Sequence, residues 1–334
     1  MLQILGAQTG MPGNAGENTA AQFDRPRKIS DVRASKRMHK AEPYATCYGE
    51  LVSADEQTFF RDRLKVRTFG DKGEAGAAGA EIAAGIMRAE TERAGRAAVV
   101  FASAVSQDPF LAALRAQEID WTRITAFHMD EYAGMSGDHP ASFRRFLRER
   151  LFDHVPVAAF HQLDGEAADA AAECERYRAL LKQAEPCLVI MGIGENGHLA
   201  FIDPPVCDFS DPRDVRAVEL DDVCRMQQVH DGAFARLEDV PRRALSLTVP
   251  FFLGVPRALV FVNGEHKSAA VRAALEGPVV EACPASVLRR HPSAILFLDA
   301  AAASLLVRTA PDPEGAPAAA PIGALRPAQA TLLD

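Results

Sequence analysis

The stretch Ala97–Gln117, AAVVFASAVSQDPFLAALRAQ, runs from an unbroken apolar segment through a loop of small residues into a helical pattern. A short apolar run without polar alternation suits a strand covered on both faces, the usual condition of a parallel sheet. The same rhythm recurs along the chain. KVRTF precedes a long Ala-rich helix, RITAFHM precedes SFRRFLRERLF, ALVFV precedes EHKSAAVRAALEG, AILFLD precedes AAASLLV, and CLVIMGIG lies among them. In SFRRFLRERLF, Phe143, Phe146, Leu147 and Leu151 follow at spacings of three, one and four, the phase of a helix with one apolar face. The predicted fold class is therefore α/β: a doubly wound, mostly parallel sheet with helices on both faces, Rossmann-like in layout. Ligands of such sheets bind beyond the carboxyl ends of the strands, so the loops that follow the strands are where site residues are sought.

With 334 residues, 48% of them hydrophobic, the chain has ample material for a buried core. A formal net charge of −8 argues against general affinity for nucleic acid or an anionic membrane, because a phosphate polymer needs a basic face. A small anion remains compatible, since one local pocket can oppose the overall sign. The cysteines (Cys47, Cys174, Cys187, Cys207, Cys224, Cys283) are scattered, without the spacing of a zinc motif or a disulfide framework, and are read as reduced thiols. The opening MLQILGAQTG lacks a basic leader, and no segment approaches the roughly 18 uninterrupted apolar residues of a membrane span. The expectation is a cytoplasmic protein with no membrane partner.

Three regions are expected. Residues 1–62 form a partly irregular N-terminal extension, 63–307 the α/β domain, and 308–334 a Pro/Ala-rich tail. Within the extension, RPRKISDVRASKRMHK is either a nucleic-acid arm or, the blander reading, a solvated basic segment.

Four strand ends carry unusual residues. After AAVVF comes ASAVSQDP, where Ser103, Ser106 and the free N–H groups of the next helix suit an anion. The alternative is an ordinary turn capped by Ser106 or Asp108. After ALVFV, Lys267 falls in the first turn of a helix, on the unfavourable side of the dipole by roughly 0.3–1 kcal/mol unless an anion is near. It is either half of a phosphate grip or an exposed surface lysine. After RITAFHM stand Asp130, Glu131 and Tyr132: acids at a strand end, one of which can have the raised pKa of a general base, or a turn cap beside a solvated partner. After CLVIM comes MGIGENGHLAFIDPP, Met191–Pro205. GIGENG matches G-x-G-x-x-G but leads into no clear helix, so a dinucleotide site is not expected. His198 is either a buried structural histidine or an acid/base whose ring Asp203 orients.

Taken together, FHMDEYAGMSGDHPASFRRFL, MGIGENGHLAFIDPP, VPRRALSLTVP and VNGEHKSAAVRAALEG resemble the glucosamine-6-phosphate deaminase/isomerase family, relatives of the 6-phosphogluconolactonases, over roughly residues 65–307. The resemblance implies a sugar-phosphate isomerase type of fold and conversion of glucosamine 6-phosphate and water to fructose 6-phosphate and ammonia. It implies a small sugar phosphate as partner, no redox cofactor and no obligatory metal. Oligomerisation, as a homo-oligomer, is an expectation at family level only. Carried over, Asp130 moves a proton from C2 to C1 of the opened sugar, and His198 acts on the ring oxygen. Asn196 and Asp203 flank that histidine, while Ser103, Ala104, Ser106 and Lys267 occupy phosphate-site positions. Glu131, Gly197 and His230 are candidate substrate contacts.

The sequence departs from the family pattern at several of these points. Asp203 stands where Glu is usual and is shorter by one methylene. Ala104 stands where glycine is usual, and a left-handed conformation there would cost roughly 1–2 kcal/mol. If Arg225 is aligned with a family arginine, His230 falls near the position of another, phosphate-binding one. Two other functions compete. A 6-phosphogluconolactonase would share the phosphate grip but has no need of a base over C2. A sugar-phosphate sensor would call for a DNA-binding module, which residues 1–60 do not spell out.

Overall fold

The computed structural model describes residues 57–307, so the basic segment of the N-terminal extension and the Pro/Ala-rich tail lie outside the described residues. The chain runs β1 (Gln57–Arg61), β2 (Leu64–Phe69), α1 (Lys72–Ala94), β3 (Ala97–Phe101), α2 (Asp108–Arg115), β4 (Ile124–His128), β5 (Asp130–Tyr132), α3 (Phe143–Arg150) and β6 (Ala159–His161). It continues with α4 (Ala170–Ala184), β7 (Leu188–Met191), β8 (Val215–Glu219), α5 (Asp222–His230), β9 (Arg243–Leu247), α6 (Val249–Gly254), β10 (Ala258–Val262), α7 (Ser268–Glu276) and β11 (Ala294–Asp299).

Eight strands make the main sheet, in the order β1-β2-β11-β10-β7-β3-β4-β6. Only the edge pair β1–β2 is antiparallel; the remaining pairs are parallel. The strands read as uninterrupted apolar runs because alternate residues enter different cores. In β3, Val99 and Phe101 join Ala83 and Met87 of α1 and Leu111 and Leu114 of α2. Ala98 and Val100 point the other way, into the core that holds Tyr177 and Leu181 of α4 and Val271 and Leu275 of α7. Helix α1 has a weak hydrophobic stripe but lies close on the sheet: a Cβ on Gly79 would sit 2.2 Å from the Phe261 ring. Asp71 caps its start by accepting from the amides of Gly73 and Glu74, and Gly95 ends it in the left-handed region.

Three local features depart from the sequence reading. Gln57–Arg61, within the stretch read as extension, pairs with β2 along the sheet edge. AAASLLV, expected as a helix after β11, is a run of turns closed by Ser304 N–Ala301 O and Leu306 N–Ala303 O bonds. The third is a second sheet, antiparallel, in the order β5-β9-β8.

The order of the main sheet reverses between β3 and β7: from β3 the chain moves outward to β4, and from β7 to β10 on the other side. That pair is the topological switch point, and the crevice beyond its carboxyl ends is where the fold places a ligand.

Candidate active site

A cleft of about 400 Å3 opens at this switch point, and the loops after β3, β4, β7 and β10 all contribute to its wall. Asp130 reaches it because the chain leaves the main sheet after His128 and joins the second one. Asp130, Glu131 and Tyr132 pair with Ser246, Leu245 and Ala244 of β9. Successive side chains of a strand point to opposite faces, so the adjacent acids have different fates. Asp130 lines the cleft, buried. Burial, and secondarily the charge of Glu131, holds its carboxyl well above the usual carboxylate range.

Glu131 turns away and is not part of the cleft wall, contrary to its reading as a substrate contact. Fully buried, it accepts hydrogen bonds from Ser142 Oγ (2.8 Å), the Arg144 amide (3.1 Å) and Arg144 Nε (3.1 Å), and so ties β5 to the start of α3. On the Asp130 side, the Tyr132 hydroxyl donates to Gln228 Oε1 at 2.8 Å.

His198 follows the glycine-rich turn after β7. Its Nδ1 lies 2.8 Å from Asn196 Oδ1 and 3.1 Å from Asp203 Oδ1, while Asn196 Nδ2 donates to the same Asp203 oxygen at 3.1 Å. With two acceptors facing Nδ1, the proton belongs on Nδ1, and Nε2 is the nitrogen available to the cleft. The shorter Asp203 thus contacts the ring directly. Its second oxygen accepts from the Asp221 amide at 3.1 Å. Burial alone would raise the Asp203 carboxyl, but the hydrogen bonds from His198, Asn196 and Asp221, with the His198 charge, outweigh it and hold it below the ordinary range. Gly194 makes room for the ring: a Cβ there would lie 2.1–2.3 Å from three His198 ring atoms. Gly197, the other glycine of interest, adopts φ +84 and packs on Cys283; it supports the turn and is not part of the cleft wall.

Ser103, Ala104, Ser106 and Lys267, the residues read as a phosphate grip, all lie on the cleft wall. Ser103 Oγ is buried with no hydrogen-bond partner. Ala104 has φ −137, ordinary extended backbone, so the expected cost of a left-handed alanine does not arise. Neither Ser106 nor Asp108 caps α2; Asp108 pairs with Arg150 Nε at 2.9 Å. Asn263 Nδ2 donates to the Ser106 carbonyl at 2.9 Å and joins the β3 and β10 loops. Lys267 is 5% exposed and forms no salt bridge among the described residues. Burial lowers its pKa, partly offset by the charges of Asp231 and Glu195. A mostly buried lysine without an ion pair and a buried hydroxyl without a partner, both on one cleft wall, suit an anion that would satisfy them together.

His230 is not brought in: it is exposed at the end of α5, outside the cleft wall, with Nδ1 3.4 Å from Glu195 Oε2. Helix α5 and the turn after it instead present Gln227, Gln228 and Asp231, and the N-terminus of α1 presents Lys72. The sequence reading missed these. The amides of VCRMQQVHD match no motif, and Lys72 is far in sequence from the Ser103–Ser106 loop with which it lines the cleft. Arg225, on the same helix, is consumed by Asp222 and the carbonyls of Leu237 and Val240.

Comparison with known proteins finds relatives over most of the described residues. The chain is 35% identical over 192 residues to a glucosamine-6-phosphate deaminase of Exiguobacterium sibiricum, covering 58% of this chain and 74% of that protein. It is 36% identical over 194 residues to one of Bacillus thuringiensis, with 58% and 72% covered. Among solved structures, a monomeric glucosamine-6-phosphate deaminase superposes with a TM-score of 0.66 at 28% identity, covering 72% of this chain and 99% of that one. A 6-phosphogluconolactonase from Shewanella baltica shares the fold at a TM-score of 0.59 and 20% identity, with 73% and 98% covered. A family model described as glucosamine-6-phosphate isomerases/6-phosphogluconolactonase matches residues 70–297, and the chain belongs to that family.

Proposed function

We propose that the protein is an amino-sugar-phosphate deaminase and isomerase that converts glucosamine 6-phosphate and water to fructose 6-phosphate and ammonia. The observation that carries this reading is the meeting of Asp130 and His198 with Ser103 and Lys267 on one cleft at the switch point. The phosphate group sits between Lys267, Ser103 and the loop through Ser106, which supply the charge and hydroxyl that it needs. His198 Nε2, with the ring held through Nδ1, exchanges a proton with the ring oxygen and opens the pyranose. Asp130, made more basic by burial, removes the C2 proton of the open aldehyde to leave an enolamine. It then returns that proton to C1. The resulting C2 imine takes up water and releases ammonia, leaving the ketose.

The lactonase reading is less well supported. Lactone hydrolysis has no use for a strong base beside C2, and the lactonases similar in structure share only the fold at 20% identity or less. The decisive assay incubates the purified chain with glucosamine 6-phosphate, measuring ammonium and fructose 6-phosphate, in parallel with 6-phosphogluconolactone hydrolysis. Stoichiometric ammonium and ketose are expected. Fast lactone loss without ammonium would replace the proposal with the lactonase, and binding without turnover of either would replace it with a sensor. Asp130→Asn is expected to abolish turnover while leaving sugar-phosphate binding within a few-fold of the parent.

A further inference from the structure

Cys224 is 1% exposed on α5 and has no part in the chemistry proposed above. It lies close to the His198–Asp203 pair: a ring nitrogen of His198, a carboxylate oxygen of Asp203 and the Cys224 sulfur all fall within 4.8 Å of one another. Asn196 Oδ1 stands 2.8 Å from His198 Nδ1 and offers a neutral oxygen on the histidine side of this set. These donors come from the β7 loop and α5 and share no sequence spacing, so no metal motif announces them. Thiolate, imidazole and carboxylate are the donor types favoured by zinc. At the usual bond lengths of about 2.0–2.3 Å, donors around one ion stand roughly 3.4–3.7 Å apart, so closing the set takes an adjustment of about 1 Å. The charges also match: one thiolate and one carboxylate neutralise a divalent ion, which removes the main penalty for burying it.

We infer that His198, Asp203 and Cys224, with the Asn196 side-chain oxygen, form an inhibitory site for a thiophilic divalent cation of the zinc class. On binding, the Cys224 thiol releases its proton to solvent, and the sulfur electron pair goes to the ion. The His198 proton moves from Nδ1 to Nε2, freeing the Nδ1 lone pair for the ion, and nothing is oxidised or reduced. The histidine is then fixed in the opposite tautomer, with N–H facing the cleft and no lone pair to accept a proton. This inhibitory consequence rests on the role proposed for His198; occupancy of the site does not.

The test uses Co2+ as a spectroscopic probe and Zn2+ as inhibitor on the full chain. One equivalent of Co2+ should give a near-ultraviolet sulfur-to-cobalt charge-transfer band and intense tetrahedral visible bands, both displaced by Zn2+. Cys224→Ala and Cys224→Ser should lose the charge-transfer band, whereas Cys283→Ala should keep it. Zn2+ should cut ammonium release by more than tenfold, reversibly with EDTA, and either Cys224 variant should raise the inhibitory concentration at least tenfold relative to its own metal-free rate. Circular dichroism and melting of each variant separate loss of the site from loss of the fold. A Co2+ complex without thiolate absorption, or the same band in the Cys224 variants, overturns the site. A bound ion with unaltered turnover overturns the inhibition. If the chain releases no ammonium from glucosamine 6-phosphate, the cobalt spectra still decide the site, so the two failures remain distinguishable.

Discussion

Gly194→Ala isolates how the histidine is held, because it adds a single methyl group to the turn beneath the ring. The added Cβ would lie 2.1 Å from His198 Cε1 and 2.2–2.3 Å from the two ring nitrogens, whereas ordinary contact begins near 3.4 Å. Ring or backbone must therefore move by about 1.3 Å, the difference between 3.4 and 2.1 Å. The hydrogen bonds that orient the ring, at 2.8 Å to Asn196 and 3.1 Å to Asp203, do not survive a shift of that size. A misplacement of about 1 Å in a reacting group costs on the order of 10²-fold in rate. Overpacking of a buried site adds roughly 1–3 kcal/mol of destabilisation. The assay is steady-state ammonium release from glucosamine 6-phosphate with a parallel thermal melt. Gly254→Ala, where the new Cβ meets nothing within 4 Å, serves as the control. The expected result is a kcat about 100-fold lower with KM changed less than about fivefold, since the proposed phosphate grip is on other loops. A Gly194→Ala protein with kcat within twofold of the parent would refute both the ring placement and its role.

Other perturbations have equally definite outcomes. Asp130 has a raised pKa in the folded protein, so the stability of its protonated form is present at low pH and lost as pH rises above the ordinary carboxylate range. Asp130→Asn should match the parent in acid and become more stable relative to it by about 1.4 kcal/mol per pH unit, levelling off above the raised pKa, as read by melts across pH. Lys267→Ala should raise KM by roughly 10- to 150-fold, the worth of a charged hydrogen bond of about 1.5–3 kcal/mol, with less effect on kcat. Because burial lowers the Lys267 pKa, KM of the parent should climb as pH rises through it. Glu131→Gln removes the buried charged acceptor of Ser142 Oγ and Arg144 Nε, while Arg144 keeps Asp164 at 3.2 Å and the Met135 carbonyl at 2.7 Å, and should cost about 1.5–3 kcal/mol. The melting temperature should fall by roughly 3–12 °C; an unchanged melt would refute a stabilising role for the Glu131–Arg144 pair.

Much of the fold was legible because a strand buried on both faces must be apolar along its whole length, and AAVVF, CLVIM and ALVFV are. Once those strands are placed in one parallel sheet, the rule that ligands gather at carboxyl ends points to Asp130, Ser103, His198 and Lys267. Strand β5 carried no such signal, since three residues with two acids have little strand propensity, and only its pairing with β9 holds it extended. AAASLLV has helical composition yet forms turns, since local propensity is a weak prior that tertiary context overrides.

The sequence by itself determined residue types and their order: alternation, apolar runs, and which chemically capable side chains follow which strand. Direction, backbone conformation and partnership were decided in three dimensions. Asp130 and Glu131 are adjacent and chemically alike, but strand geometry sends one to the cleft and the other into a buried ion pair with Arg144. Ala104 is unstrained because its loop is extended, and His230 is excluded because of where α5 ends. Asp203 meets His198 despite its missing methylene because the turn between them folds tightly enough for a 3.1 Å contact. In each case the deciding quantity is a distance or an orientation set by segments remote in sequence, which no reading of local pattern contains.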